Sequence, residues 1–174
     1  MRDRPASDRH SASACAAALV AAALGVGHAL VSAYWAFGGT TLLDTIGGDL
    51  ERWGRERRPG LVAILWAIAL LKLVVALAAP VLAGIGASWL PAWTRGRIPR
   101  LLGWIAAGTL VVYGGLLTLG GLAVESGAID IAADADRRAL AWHAFLWDPW
   151  FCLWGVAFVM SLRTTGRPPN SARS

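Results

Sequence analysis

Four side chains in apolar surroundings could carry chemistry in this chain: His28, Lys72, Tyr113 and Asp148. Lys72, in the stretch "LKLVV", is the only lysine among 174 residues, whereas fifteen arginines stand mostly in polar stretches. An ionisable group deep in an apolar run is costly unless it faces a protein interior, where it marks a ligand or proton path or a structural pair. A lysine and an aspartate brought together there, with a histidine and a tyrosine beside them, could form a proton-coupled pathway or a small-ligand pocket. The same pair could instead fix helix register and do nothing more. A third outcome is side chains that face lipid without touching one another. If no carboxylate meets Lys72, the alternative is a neutral amine.

Other chemistries find little support. No HExxH, GxSxG, GxxxxGK or GxGxxG occurs, so the common metalloprotease, serine-hydrolase and nucleotide signatures are absent. The three histidines (His10, His28, His143) and two distant cysteines (Cys15, Cys152) suggest no set of metal ligands, so neither metal nor cofactor is expected. His28 and His143 would have to lie on adjacent helices at one level, yet counting places them about six residues apart in depth. His143, beside Trp142, reads as an interfacial side chain. Glu125, Asp130, Asp134 and Asp136 make an acidic connection without calcium-loop spacing. No nucleophile–base pair is visible, which disfavours an enzyme.

The elements that must position these groups are membrane helices. The chain is 56% apolar with a mean hydropathy of +0.53 and a net charge of only +5, and it has no basic block interleaved with aromatics that would suggest nucleic acid. A hydrocarbon core of about 30 Å needs about 20 apolar residues per helix. Four runs meet that length, at 14–37, 61–83, 101–124 and 139–162. They are continuous rather than alternating, which indicates helices and not barrel strands. The expected fold is all-α, an integral membrane four-helix bundle over 12–163 with tails at 1–11 and 164–174. Its last helix should be kinked at Pro149, a residue that lacks a backbone donor.

Basic residues suggest the orientation. Arg2, Arg4, Arg9, Arg95, Arg97, Arg100, Arg163, Arg167 and Arg173 fall on one side of the four runs. Arg52, Arg55, Arg57, Arg58, Arg137 and Arg138 fall on the other with eight acids. By the positive-inside rule both termini are expected in the cytoplasm. Abundant Ala, Gly, Pro and Arg suggest a bacterial source, hence the inner membrane. Trp35, Trp142, Trp147 and Trp150 would form an outer aromatic belt, and Trp89, Trp93 and Trp104 an inner one. The first run also has features of a signal peptide, with Val31-Ser32-Ala33 as a cleavage site, although "YWAF" carries its apolar character further.

Helical spacing assigns faces. Ala17, Ala21, Gly25, Ala29 and Ala33 recur every four residues in the first run, flanked by His28 and Ser32. Ala69, Lys72, Ala76, Ala79 and Ala83 share a face in the second, Ala106, Thr109, Tyr113 and Gly120 in the third, and Ala144, Asp148, Cys152 and Gly155 in the fourth. Small residues permit close helix approach in lipid. Counted from the outer boundary, His28, Lys72, Tyr113 and Asp148 lie within a few Å of one level. The expectation is a shared interior cluster in which Asp148 neutralises Lys72.

Two stretches carry a resemblance, "HALVSAYWAFGG" at 28–39 and "WHAFLWDPWFCLWG" at 142–155. The chain resembles small bacterial four-span membrane proteins of the domain-of-unknown-function family numbered 3995, with an H-x5-YWA-x-GG motif ending the first span and a WDPWF motif in the last. The matching positions are His28, Tyr34, Trp35, Gly38, Gly39, Trp147, Asp148, Pro149 and Trp150. The family has no established activity, so the resemblance implies architecture and no mechanism. Gly38 and Gly39 should stop the first helix. The functional expectation is a structural or accessory membrane protein with a buried polar cluster. The alternative is a proton-sensitive small-solute transporter or binding unit. Its expected partners are the lipid bilayer and either a membrane-protein partner or a second copy in a homo-oligomer, with no nucleic acid.

Overall fold

The computed structural model describes residues 6–164, and every regular element within them is helical. The helices are α1 (Ala6–Ala36), α2 (Gly48–Arg55), α3 (Pro59–Leu82), α4 (Arg97–Glu125), α5 (Arg137–Trp142) and α6 (Asp148–Thr164). A π-helical turn, His143–Trp147, joins α5 to α6. Four helices are long and apolar enough to cross a membrane: Ser11–Ala36, Pro59–Leu82, Arg97–Glu125 and Arg137–Arg163. Each run identified in the sequence falls on one of them. Arg2, Arg4, Arg167 and Arg173 lie outside the described residues.

The irregularity expected at Pro149 falls one turn earlier. The ring of Pro149 would collide with the carbonyl of residue 145, and its nitrogen has no proton to donate. The chain accommodates this by widening, and Asp148 N–H donates to His143 O five residues back. The fourth span therefore changes pitch as it approaches the proline.

The first helix ends as its glycines predict. Gly39 N–H donates to Tyr34 O and Gly38 N–H to Trp35 O, both at 2.9 Å, the paired bonds of a Schellman stop. Gly38 has φ +101°, a conformation that side chains rarely adopt. Arg57 completes this end by donating from Nη1 to Phe37 O at 2.9 Å, which places a cation at the negative end of the helix dipole. Arg100 does the same for α6, donating from Nη2 to Leu162 O.

Packing is uneven. α1 lies against α3 and α6, and α4 lies against α6, whereas α3 and α4 barely meet. The half of the bundle nearer the chain termini is filled: Trp154, Phe158 and Leu162 of α6 occupy the space between Ala18 and Ala21 of α1, Ala76 and Ala79 of α3, and Ala107 of α4. Large side chains from one helix thus fit the small-residue faces of three others. Outward residues such as Leu70, Leu71, Val74, Leu116 and Leu119 are exposed, as a lipid-facing surface requires.

The small-residue face of α4 is rotated from the expected one. Gly103, Ala107 and Gly114 are its buried positions, one residue on from Ala106 and Tyr113, or about 100° around the helix. The reason is close backbone contact. A Cβ at Gly114 would lie 2.5 Å from Cys152 N, so only glycine lets α4 approach α6 this closely.

Candidate functional site

The other half of the bundle, toward the α1–α3 and α4–α5 connections, contains a cavity of about 320 Å³. Its polar lining comprises Lys72, His28, Ser32 and His143, with Tyr113 at the edge. Its apolar walls include Leu61, Ile64, Leu65 and Ile68 of α3, Trp147 and Phe151. The connection after α1 roofs it with Leu43 and Ile46.

Lys72 sits thirteen residues, about 20 Å, from the start of α3. It points inward, toward α1. Nζ donates to Ser32 Oγ at 2.9 Å and lies 3.1 Å from His28 Nδ1. Taking the amine as donor, Nδ1 accepts and the ring proton sits on Nε2. Ser32 Oγ in turn donates to His28 O one turn back along the helix, 3.4 Å away. His28 and Ser32 are four residues apart on the buried face of α1, so one turn of helix presents both acceptors together. Nζ also lies 5.3 Å from the centre of the Phe151 ring, within cation–π range. A hydroxyl beside an amine is an arrangement used in nucleophilic sites. Here Ser32 is 2% exposed and held at both ends, so it serves as a fixed acceptor rather than an open nucleophile.

The expected ion pair between Lys72 and Asp148 does not form. Asp148, 3% exposed, accepts from His143 Nδ1 at 3.4 Å. The two residues are five apart, which in an α-helix would set them about 140° around the axis. The π turn brings residue i over i+5 and makes this contact possible. Of the four residues proposed from the sequence, the structure joins His28 to Lys72 directly. Tyr113 lines the same cavity, half exposed, with its ring edge-on to Phe151 at 5.7 Å. Asp148 reaches the cavity only through His143. Ser32, which its i+4 spacing sets beside His28 but which is not among those four, proves to be the second acceptor of Lys72. Phe151, and His143 as the partner of Asp148, join the site in addition. Helical periodicity hides the His143 contact.

The motif residues hold this half of the protein together. His28 is buried against Phe151, Trp150 and Trp147, with ring centres 4.2, 5.1 and 5.8 Å away. Its Nε2 has no hydrogen-bond partner among the described residues. Trp150 Nε1 donates to Leu24 O and Trp147 Nε1 to Thr45 Oγ1, both at 3.0 Å. Trp35 Nε1 donates to Thr41 O, and Tyr34 Oη meets Thr41 Oγ1, both at 2.9 Å. Trp147 and Trp150 are therefore interior ties between spans and not belt residues, which corrects the expectation for them. Trp89 and Trp93 at the opposite end are largely exposed, as belt residues would be. The arginines at 55–58 also have local partners: Arg55 pairs with Glu51, Arg58 with Glu56, and Arg57 caps α1.

Among the described residues, no group of three His, Cys, Asp or Glu side chains comes together as a metal would require. The arrangement offers instead a hydrogen-bonded amine at the inner end of an apolar cavity.

Four apolar spans around such a cavity define a multi-pass helical membrane protein. A family described as "Protein of unknown function (DUF3995)" matches residues 24–158, and the chain belongs to that family. No curated protein and no solved structure matches the chain.

Proposed function

We propose that this protein is a membrane-embedded binding unit of the bacterial inner membrane, with both termini in the cytoplasm. A small lipid-soluble ligand occupies the cavity above Lys72. The observation that carries this is the cavity itself: a polar cluster that served only to fix helix register would be enclosed by packing, as the Trp154 half of the bundle is. Here Lys72 borders about 320 Å³ of space, which lies in the range of small-molecule sites. Apolar walls with a few convergent polar groups are the usual composition of such a site. The uneven distribution of arginines supports the orientation, and the bilayer is the natural environment of the exposed leucines.

An accessory role has one observation in its favour. Lys72 bridges α1 and α3 through His28 and Ser32, so it clamps two helices whatever else it does. The test is to extract purified protein with organic solvent and identify the released small molecules by mass spectrometry. Ile68→Trp, which fills the cavity from its wall, is run in parallel. A species that accompanies the wild type in near-equal amount and is depleted in Ile68→Trp supports the binding unit. Equal small-molecule content in both, together with a stoichiometric protein partner or a second copy of the chain, would replace it with the accessory role.

A further inference from the structure

We infer that the ligand is a single-chain carboxylate: an acyl chain whose head pairs with Lys72 and whose tail leaves the protein sideways between α3 and α4. This rests on the cavity being a binding site and adds the ligand's class and its way in.

Charge selects the head. A protonated lysine has three N–H donors, and Ser32 Oγ and His28 Nδ1 take two. The third has no acceptor among the described side chains. The one carboxylate in this region, Asp148, is engaged by His143, and the other titratable groups on the cavity walls are His28, His143 and Tyr113. Among the described residues no anion neutralises Lys72, so a monovalent anion entering the cavity supplies both the missing acceptor and the missing charge. A charge-assisted hydrogen bond of this kind is roughly twice as strong as a neutral one.

Volume and shape select the rest. At about 30 Å³ for a water-sized group, 320 Å³ holds about ten non-hydrogen atoms. That is room for a carboxylate with the first carbons of one chain. The remainder of the chain needs an exit, and the exposed members of the lining show where it is. Ile64 and Ile68 of α3, Tyr113 of α4 and Leu50 of α2 are 55%, 38%, 50% and 47% exposed, whereas His28, Ser32, Leu43 and Trp147 are buried. The mouth therefore runs from α2 along the gap where α3 and α4 barely meet, and reaches partway along both spans. In a bilayer that gap faces acyl chains, so the tail stays in hydrocarbon throughout.

The test uses full-length protein in vesicles of phosphatidylethanolamine and phosphatidylglycerol. Palmitic acid carrying a diazirine near its carboxyl is photolysed in one sample, and the matching long-chain alcohol in another. Labelled peptides are then mapped by mass spectrometry. The acid should label the stretches 64–72 and 147–151 about tenfold more than the alcohol does, as the loss of a charged hydrogen bond implies. Lys72→Met, and Lys72→Gln, which keeps a donor without the charge, should label equally with both probes. Equal labelling of the wild type by acid and alcohol, or a preference that survives in both variants, would overturn the carboxylate. Absence of cavity labelling by either probe would overturn the binding unit itself.

Discussion

Replacing Gly114 by alanine tests the seam on which the polar half of the bundle depends. A Cβ there would stand 2.5 Å from Cys152 N and 2.6 Å from Asp148 O, both backbone atoms that cannot swing aside. Ordinary contact begins at 3.4 Å, so α4 must withdraw from α6 by about 1 Å. A gap of that size forfeits a quarter to a half of the dispersion attraction at each contact. Overpacking of this kind costs about 1–3 kcal/mol. The same helix supplies its own controls, since a Cβ at Gly108 or Gly120 meets nothing within 4 Å. Alanine at either control position improves helix propensity by up to about 1 kcal/mol, so the two kinds of substitution should have opposite signs. Reversible unfolding in mixed micelles, followed by tryptophan fluorescence as the denaturing detergent fraction rises, measures both. A Gly114→Ala protein as stable as wild type, or Gly108→Ala weakened to the same extent, would refute close backbone contact as the basis of the seam.

Double-mutant cycles should separate the two polar pairs. Lys72→Met and Asp148→Asn should combine additively, to within about 0.5 kcal/mol, because the residues have no direct contact. His143→Ala and Asp148→Asn should couple by more than that, and the reverse pattern in the same unfolding assay would restore the lysine–aspartate pair. Trp147→Phe should cost about 1–2 kcal/mol by leaving the buried Thr45 hydroxyl without its donor. Combining it with Thr45→Val should recover part of that loss, and a Trp147→Phe protein with unchanged stability would show that the tie across the roof contributes nothing.

The four helices were legible because lipid imposes length and apolarity on any span. Lys72 was legible as an inward residue for the same reason, and the alanines spaced around it named the face. What periodicity could not supply was its partner. Depth counting set Asp148 level with Lys72, but depth says nothing about direction around an axis. The π turn at His143–Trp147 then rotated the aspartate onto a residue that α-helical spacing places elsewhere. On α4 the polar residue, Tyr113, lies one position away from the buried face, and the contact with α6 is made by Gly114, whose lack of a side chain gives hydropathy patterning nothing to mark. Trp147 and Trp150 were assigned to the belt by position along the span. Their indole protons proved to have acceptors inside the protein.

Both acceptors of Lys72 lie on α1, a helix already synthesised when α3 leaves the ribosome. The first hairpin can therefore cover its costliest group before the last span exists. By contrast α6, against which both α1 and α4 pack, arrives last. The order of synthesis thus lets the amine find its acceptors first and receive the aromatic rings of Phe151 and its neighbours afterwards.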